Sequence, residues 1–131
     1  MNILIVDDNL VVRKLLKSYM DEFGNCQTAS TGYEAVKVFK IGLESGENFD
    51  LVTLDIVMPG MDGRAVLQSL RQLELEYDVA ESNRVKIVMT TALDDRMDII
   101  ESFNDGCEGY IIKPVKKDHL VRVLTQLKLI P

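Results

Sequence analysis

The sequence has 131 residues, of which 47% are hydrophobic and 27% are charged. This length suits one domain, and the composition is that of a folded globular protein, which excludes a disordered chain. The net charge of −6 argues against a general nucleic-acid-binding surface, because such a surface needs clustered lysine and arginine.

The apolar runs and the cysteines indicate neither a membrane protein nor a secreted one. No run approaches the roughly 20 apolar residues that span a bilayer, and the N-terminal MNILIVDDN lacks the basic residues of a signal peptide. Cys26 and Cys107 lie far apart and in no metal-ligand spacing. We therefore predict one cytoplasmic domain over residues 1–131, with reduced cysteines, no effector domain and no direct contact with DNA or membrane.

The first half of the chain alternates short apolar strands with amphipathic helices. Strands are predicted at Asn2–Val6, Cys26–Ala29 and Phe49–Leu54. One helix follows the first strand and ends before Gly24, and a second helix follows Ser30-Thr31-Gly32. Their inward residues are Val12, Leu15, Leu16, Tyr19, Met20 and Phe23 in the first helix and Ala35, Val38, Phe39 and Leu43 in the second.

The second half of the chain continues this alternation. A third helix is predicted over Ala65–Leu73, and the acidic connection from Glu74 to Arg84 is either its extension or a loop. Strands follow at Val85–Thr90 and Tyr110–Ile112. The third, fourth and fifth helices are marked by Val66, Leu67, Leu70 and Leu73, by Met97, Ile100 and Phe103, and by Leu120, Val123, Leu124 and Leu127.

Five strand-then-helix units with near-continuous apolar strands predict the α/β class. Strands that are apolar on both faces belong to a parallel sheet covered on both sides, and short right-handed crossovers make it doubly wound. The expected architecture is therefore a three-layer α/β/α domain around a five-stranded parallel sheet.

Polar residues follow the predicted strands at their carboxyl ends. In a doubly wound sheet these ends line the ligand crevice at the point where the strand order reverses. If the first and third strands are neighbours there, three carboxylates converge, with a hydroxyl and an ammonium facing them. The residues are Asp7 and Asp8 after the first strand, Asp55 after the third, Thr90 and Thr91 after the fourth, and Lys113 after the fifth.

Three converging carboxylates predict a metal-assisted reaction. They cannot all stay ionised unless one takes a proton or a divalent cation lies among them, and hard oxygen ligands suit Mg²⁺. Asp55, beside Mg²⁺ and Lys113, would then be placed to attack a phosphoryl group and form an acyl phosphate.

Four motifs in order resemble the receiver domains of bacterial two-component response regulators. They are ILIVDD, DLVTLDIVMPGMDG, IVMTTA and GYIIKP, and the resemblance runs from Asn2 to Leu129. The chain is similar to the single-domain chemotaxis-type regulators in particular. The resemblance implies a flavodoxin-like sheet with strand order 2-1-3-4-5. It also implies a signalling switch that takes its phosphoryl group from a histidine kinase or a histidine phosphotransfer protein.

The resemblance assigns roles to the acidic residues. Asp55 matches the phosphoacceptor of the family. Asp7 and Asp8 match the acidic pair that binds Mg²⁺, for which Mn²⁺ is a possible substitute, with Asp8 the more direct ligand. Together with Asp55, the backbone carbonyl of Val57 would complete the set of protein ligands.

The resemblance also assigns the residues that respond to phosphorylation. Thr91, rather than its neighbour Thr90, matches the hydroxyl that binds a phosphoryl oxygen, and Lys113 matches the lysine that contacts the phosphate. The bond from Lys113 to Pro114 matches one that is usually cis in the family. Tyr110 would turn inward behind Thr91, so that the surface of the fourth helix, fifth strand and fifth helix changes its protein partners.

Two departures from the family pattern affect the expected chemistry and docking. Val57 and Leu93 are apolar where family members often carry polar side chains that orient water, so we expect slow self-dephosphorylation. Rapid loss of phosphate from the purified domain would contradict that expectation. Leu10 and Val11, with Pro114 and Val115, form either a kinase-docking patch beside the acids or ordinary exposed apolar surface.

Other protein classes on a similar sheet fit the sequence less well. A magnesium-dependent phosphatase of the haloacid dehalogenase type would carry Asp-x-Asp after its first strand, whereas this chain has Asp7-Asp8 there and an isolated Asp55 after the third. A flavin-binding domain would need a Ser/Thr/Gly-rich phosphate loop at that first position. A receiver that has lost phosphorylation and serves only for interaction is the remaining alternative, and the intact set of acids and lysine argues against it. We therefore expect a switch that catalyses only its own modification and is not an enzyme with a turnover substrate.

Overall fold

The computed structural model describes residues 1–92 and 96–131, which form five strands and five α-helices in strict alternation. The strands are β1 (Asn2–Val6), β2 (Asn25–Ala29), β3 (Leu51–Asp55), β4 (Lys86–Thr91) and β5 (Gly109–Ile112). The helices are α1 (Leu10–Met20), α2 (Gly32–Ser45), α3 (Gly63–Glu76), α4 (Arg96–Asn104) and α5 (Lys117–Gln126), with a 3-10 turn at Glu81–Asn83. No helix in these two ranges is long and apolar enough to cross a bilayer.

The strands form one parallel sheet in the order β2-β1-β3-β4-β5, which confirms the predicted fold class and strand order. The order reverses between β1 and β3, and the crevice expected there lies at the carboxyl ends of both strands. The register of β3 with β4 places Asp55 beside Thr90, and that of β4 with β5 places Thr90 beside Ile111. These pairings determine which side chains meet at the crevice.

Side chains alternate along the strands and therefore fill two apolar cores, one on each face of the sheet. On one face, buried residues of α2 and α3 such as Phe39 and Leu67 pack on the strands. On the other face, Leu16 of α1 and Leu124 of α5 pack on the strands. We call these the α2/α3 face and the α1/α5 face. Burial on both faces explains why the strands are apolar at nearly every position.

Side-chain caps fix the start of three helices relative to the strands that precede them. The Asn9 side chain accepts a hydrogen bond from the Val12 N–H at 3.1 Å, so α1 begins immediately after the acidic pair. Thr31 and Asp62 cap α2 and α3 in the same way, at 3.1 and 2.9 Å. The caps hold the loops that carry the polar residues in defined positions.

Helix burial follows the predicted stripes with some exceptions. Leu16 and Met20 are fully buried, but Leu15 is 39% exposed, so its predicted inward orientation is wrong. Ile100 and Phe103 mark α4 as predicted, yet both side chains are exposed. Met97 lies in the same helix, but its side chain is outside the described part of the structure. α4 therefore presents at least two apolar side chains outward.

The acidic connection after the third helix proves to be part helix and part loop. α3 continues to Glu76, three residues beyond the predicted end at Leu73, and the chain then passes through the 3-10 turn into β4. Glu74 is only 1% exposed, which is unusual for a carboxylate. A buried carboxylate requires compensation, and Arg71 supplies it.

Arg71 joins three elements at the amino-end edge of the sheet. Its guanidinium contacts Glu74 at 2.6 Å and Glu108 at 2.7 Å, and it donates to the carbonyls of Val85 and Gly106 at 2.9 and 2.7 Å. The two glutamates also accept backbone N–H groups that belong to or precede β4. We call Arg71, Glu74 and Glu108 the basal network. It fixes α3 to the starts of β4 and β5.

Candidate functional site

Three carboxylates meet at the carboxyl ends of β1 and β3, as the sequence predicted. Asp7 directly follows β1, Asp8 comes next, and Asp55 is the last residue of β3. One carboxylate oxygen from each lies within 4.8 Å of the others. Asp7 and Asp55 are buried, whereas Asp8 is exposed. The cluster therefore has a buried floor of two acids and one acid at its rim.

The Lys113 side chain reaches this cluster from the end of β5, the edge strand next to β4. Its ammonium lies 2.8 Å from Asp7 Oδ2 and 3.3 Å from Asp55 Oδ2. Its backbone N–H donates to the Thr91 carbonyl at 2.7 Å, which extends the pairing of β5 with β4 by one residue. The bond from Lys113 to Pro114 is cis, as the resemblance implied. A single cation thus bridges the two buried carboxylates.

Burial and charge shift the ionisation of this cluster. Burial and, to a smaller extent, the nearby Asp7 carboxylate raise the pKa of Asp55 to about 6, against the opposing effects of Lys113 and the Val57 N–H. Burial alone would lower the pKa of Lys113, but its contacts with Asp7 and Asp55 outweigh that effect and raise it. Asp55 is thus ionised near neutral pH, but less easily than an ordinary aspartate.

Backbone and side-chain donors hold the acids in place. The Asn9 N–H donates to Asp7 Oδ1 at 2.9 Å, and the Val57 N–H lies 3.3 Å from Asp55 Oδ1. Arg13, one turn into α1, donates to the Asp7 carbonyl at 2.8 Å. We did not single out Asn9 and Arg13 from the sequence, and their early position in a helix after an acidic pair is the only signal that could have indicated them.

Thr91 lies at the end of β4 and Tyr110 lies on β5. Thr91 ends β4 with a buried side chain, one residue beyond the position that pairs with Asp55. Tyr110, on β5, is 40% exposed and packs edge-on against Phe103 of α4, with 5.9 Å between ring centroids. Its ring thus lies on the outer surface between α4 and β5.

Two further threonines lie on the α1/α5 face near the acids. Thr53 and Thr90 are each 1% exposed, and their hydroxyls have no hydrogen-bond partner among residues 1–92 and 96–131. Thr90 is paired with Asp55 across β3 and β4, whereas Thr53 lies two residues before Asp55 on the same strand. Buried hydroxyls without partners are costly, so their presence calls for an explanation.

The donor set fits a hard divalent cation. Asp7, Asp8 and Asp55 together offer three carboxylate oxygens, which are the ligands that Mg²⁺ prefers, and the exposed rim leaves room for water ligands. Lys113 is the one cation in contact with the two buried acids in the described part of the chain. The side chain of Val57 is 71% exposed at the rim. Leu93, the second apolar departure noted in the sequence, lies outside the described residues.

Fold and pocket together define a receiver-type signalling domain, with acids after β1 and β3 and a lysine after β5. The family model for the response regulator receiver domain matches residues 3–125. The chain belongs to this family, which makes it a signalling domain of the phosphorelay type.

The curated relatives include both short and long proteins. Chemotaxis protein CheY-3 of Vibrio cholerae is 37% identical over 116 residues, which cover 87% of this chain and 81% of that protein. Probable transcriptional regulator ycf27 of Cyanidium caldarium is 36% identical over 114 residues, covering 86% of this chain and 40% of that protein. Hybrid signal transduction histidine kinase L of Dictyostelium discoideum is 32% identical over 122 residues, covering 93% of this chain and 7% of that protein. The chain thus spans less than half of the latter two.

Solved receiver structures superpose closely on this chain. The receiver domain of the Arabidopsis thaliana histidine kinase CKI1, complexed with Mg²⁺ and BeF3⁻, has a TM-score of 0.83 at 25% identity and covers 97% of this chain and 89% of that one. The Borrelia burgdorferi CheX-CheY-BeF3-Mg²⁺ complex gives 0.83 at 28%, covering 98% and 89%. The Saccharomyces cerevisiae complex of the phosphotransfer protein Ypd1 with the Ssk1 receiver gives 0.82 at 27%, covering 96% and 87%. The magnesium-bound neighbours, together with the acidic cluster, support Mg²⁺ binding here.

Proposed function

We propose that Asp55 accepts a phosphoryl group from a phosphohistidine of a partner protein and that the resulting acyl phosphate switches the protein's contacts. The observation that carries this proposal is the placement of one buried, partly ionised carboxylate between a second buried acid and a lysine ammonium. Asp55 lies 3.3 Å from Lys113, which also holds Asp7, at the crevice of a doubly wound sheet.

The transfer requires an ionised Asp55 and compensation of the incoming charge. A carboxylate oxygen of Asp55 forms a bond to phosphorus while the bond from phosphorus to the donor nitrogen breaks, and the electron pair of that bond stays with the departing imidazole. With a pKa of about 6, Asp55 is mostly ionised at pH 7. Lys113 is near enough to neutralise a phosphoryl oxygen, and Thr91 would offer its hydroxyl to another oxygen.

Asp7, Asp8, Asp55 and the backbone carbonyl of Val57 would hold the divalent cation. Bound Mg²⁺ supplies positive charge that offsets the acids and the phosphoryl oxygens. Exposed Asp8 can turn towards a cation at low cost, whereas Asp7 must exchange its contact with Lys113. Mn²⁺, which also favours carboxylate and water ligands, would serve as a substitute.

The phosphoryl donor would be a histidine kinase or a histidine phosphotransfer protein that docks beside the pocket. Leu10 and Val11 are exposed at the start of α1, three and four residues after Asp7, and Val57 is exposed two residues after Asp55, whereas Val115 is buried and its predicted place in this patch is wrong. An apolar rim of this kind suits a helix of the donor. The similar Ssk1 receiver, which is bound to the phosphotransfer protein Ypd1, supports this choice of partner.

The output would pass through the surface of α4, β5 and α5 to a downstream protein. Exposed Phe103, Tyr110 and Ile112 border a groove of about 380 Å³ on this side, which Val123 and Leu127 of α5 also line. Inward rotation of Tyr110 behind Thr91 would remove its edge-on contact with Phe103 and so change that surface.

Further features of the protein stay predictions. We infer that residues 1–131 form one receiver domain that works in the cytoplasm through protein contacts, without direct DNA or membrane binding, and that modifies only itself. The expected slow dephosphorylation is supported by the exposed apolar side chain of Val57, which offers no group to orient water.

We test the proposed function by intact-mass measurement after incubation with acetyl phosphate and Mg²⁺. The wild-type protein is expected to gain one phosphoryl group, and Asp55→Asn is expected to gain none because its amide is not a nucleophile. EDTA is expected to abolish the gain in the wild type.

The matched control for this test is Asp62→Asn. Asp62 is an exposed carboxylate seven residues further along, and asparagine preserves its cap of α3. This variant is expected to be modified like the wild type. Equal modification of Asp55→Asn would refute the assignment of the phosphoacceptor, and an unmodified wild type that also fails to bind Mg²⁺ would favour the interaction-only receiver.

A further inference from the structure

The buried hydroxyl of Thr90 lies directly beside the reacting carboxylate. Thr90 pairs with Asp55 across the parallel ladder, and paired residues of neighbouring strands present their side chains on the same face. Both side chains lie on the α1/α5 face, where Val88, two residues before Thr90, belongs to the core. The Thr90 side chain is enclosed, and in the described part of the chain its hydroxyl makes no hydrogen bond.

The path of Lys113 to the acids crosses the strand that carries Thr90. In the strand order β1-β3-β4-β5, β4 separates β5 from the acids, so the Lys113 side chain must cross β4 to reach Asp55 and Asp7. Thr90 is the residue of β4 that lies level with Asp55 in the sheet. It pairs with Asp55 on one side and with Ile111, two residues before Lys113, on the other. Lys113 and Ile111 share a face of the sheet by alternation.

The ammonium of Lys113 has one donor more than its two carboxylate contacts use. An ammonium carries three N–H groups, and a threonine hydroxyl can accept as well as donate. In the unmodified protein the two carboxylates occupy the lysine, at 2.8 and 3.3 Å. If Asp55 carries a phosphoryl group and Asp7 binds a cation, both of these acceptors are committed elsewhere.

We propose that Thr90 is a positioning residue, whose hydroxyl accepts a hydrogen bond from the Lys113 ammonium when Asp55 carries a phosphoryl group. The hydroxyl oxygen then replaces a lost carboxylate contact and holds the ammonium directed at the phosphoryl oxygens. This inference rests on the proposed function of Asp55. It explains why a hydroxyl that lacks a partner in the unmodified protein is kept beside the acids.

Thr53 provides a matched control within the same core. It is a threonine on the same face, equally buried and likewise without a hydrogen-bond partner among the described residues. It lies two residues before Asp55 along β3, and its neighbour on β4 is Val88 rather than a polar residue. Replacing either threonine by valine removes a hydroxyl of the same kind, so the two substitutions differ mainly in their distance from the pocket.

The test compares Thr90→Val, Thr90→Ser and Thr53→Val with the wild type in two titrations. The first measures Mg²⁺ affinity alone, and the second measures affinity for beryllofluoride, a phosphoryl mimic, at saturating Mg²⁺. We expect Thr90→Val to weaken beryllofluoride binding roughly tenfold, the effect of one hydrogen bond to a charged group, with Mg²⁺ affinity unchanged. Thr90→Ser and Thr53→Val are expected to match the wild type in both titrations.

Three results would overturn the inference. The first is a Thr90→Val variant that binds beryllofluoride as tightly as the wild type. The second is a Thr53→Val variant that loses as much beryllofluoride affinity as Thr90→Val. The third is a Thr90→Ser variant that binds beryllofluoride as weakly as Thr90→Val. Each of these presupposes a wild type that binds the mimic. A wild type that binds none would instead contradict the proposed function itself, so the two failures are distinguishable. Thermal unfolding of all variants without ligand verifies that the valine substitutions leave the fold intact.

Discussion

Replacing Arg71 by methionine is expected to lower the free energy of unfolding by about 3–5 kcal/mol, the usual cost of removing one partner of a buried ion pair. Methionine keeps the length and apolar contacts of the side chain but leaves Glu74 as a buried carboxylate without its cation. The carbonyls of Val85 and Gly106 also lose a donor. Urea unfolding followed by circular dichroism measures the loss.

The loss in free energy of unfolding caused by Arg71→Met is expected to become smaller as the pH falls. Burial raises the pKa of Glu108 in the wild type, against the opposing effects of the Ile87 N–H and Arg71, and removing Arg71 raises it further. A carboxyl whose pKa is higher in the folded state contributes stability below its unfolded pKa and loses it as the pH rises through the folded value. The difference from wild type is therefore larger at pH 7.5 than at pH 5.

Two controls separate the ion pair from general packing. Arg122→Met makes the same change at an exposed position of α5 and is expected to alter stability by less than about 0.5 kcal/mol. Adding Glu74→Gln to Arg71→Met is expected to restore part of the loss, because glutamine keeps an acceptor for the Val85 N–H without a buried charge. If Arg71→Met alone were as stable as the wild type, the basal network would contribute little to the free energy of unfolding.

Asp55→Asn is expected to be more stable than the wild type at pH 7.5 in EDTA, by roughly 2 kcal/mol. Burial, together with the neighbouring carboxylate of Asp7, raises the pKa of Asp55 from 3.8 to about 6. The ionised side chain is therefore destabilising in the folded protein without metal. Asparagine has nearly the same shape and no charge, and Lys113 keeps its contact with Asp7.

The stability gain of Asp55→Asn over the wild type is expected to be larger at high pH than at low pH. Because the folded pKa lies above the unfolded one, the wild type is penalised most above pH 6 and not at all below about pH 4, where Asp55 is protonated in both states. Chemical unfolding at pH 7.5 and at pH 4 measures the two limits. Asp62→Asn serves again as the control and is expected to show no such gain. A constant difference at both pH values would contradict this account.

Local sequence signals were sufficient for the sheet and for most of the pocket. Apolar runs that end in polar residues located all five strands to within one or two residues, as for β3, which was predicted to begin at Phe49 and begins at Leu51. The carboxyl ends of parallel strands lie at one edge, so Asp7, Asp55 and Lys113 could be expected to meet once the strand order was known. That order came from the resemblance and not from periodicity.

The basal network and the position of Thr90 could not be predicted from the sequence, for a common physical reason. Arg71 and Glu108 are 37 residues apart and meet only because α3 packs beside the start of β5. Glu74 was assigned to the acidic connection, and its burial was not predicted because an acid is normally exposed unless a cation partner compensates it. Thr90 was set aside because the resemblance assigns the phosphoryl-binding hydroxyl to Thr91, and only the register shows that Thr90 pairs with Asp55.

The bridge from Lys113 to Asp7 and Asp55 makes the lysine a tethered competitor of any cation that the acids bind. A tethered group acts at an effective concentration of about millimolar or more, set by the chain rather than by the solution. The apparent affinity for a divalent cation therefore contains the free energy of displacing the protein's own ammonium. The pocket is therefore expected to bind a divalent cation more weakly than the same three acids would without the lysine.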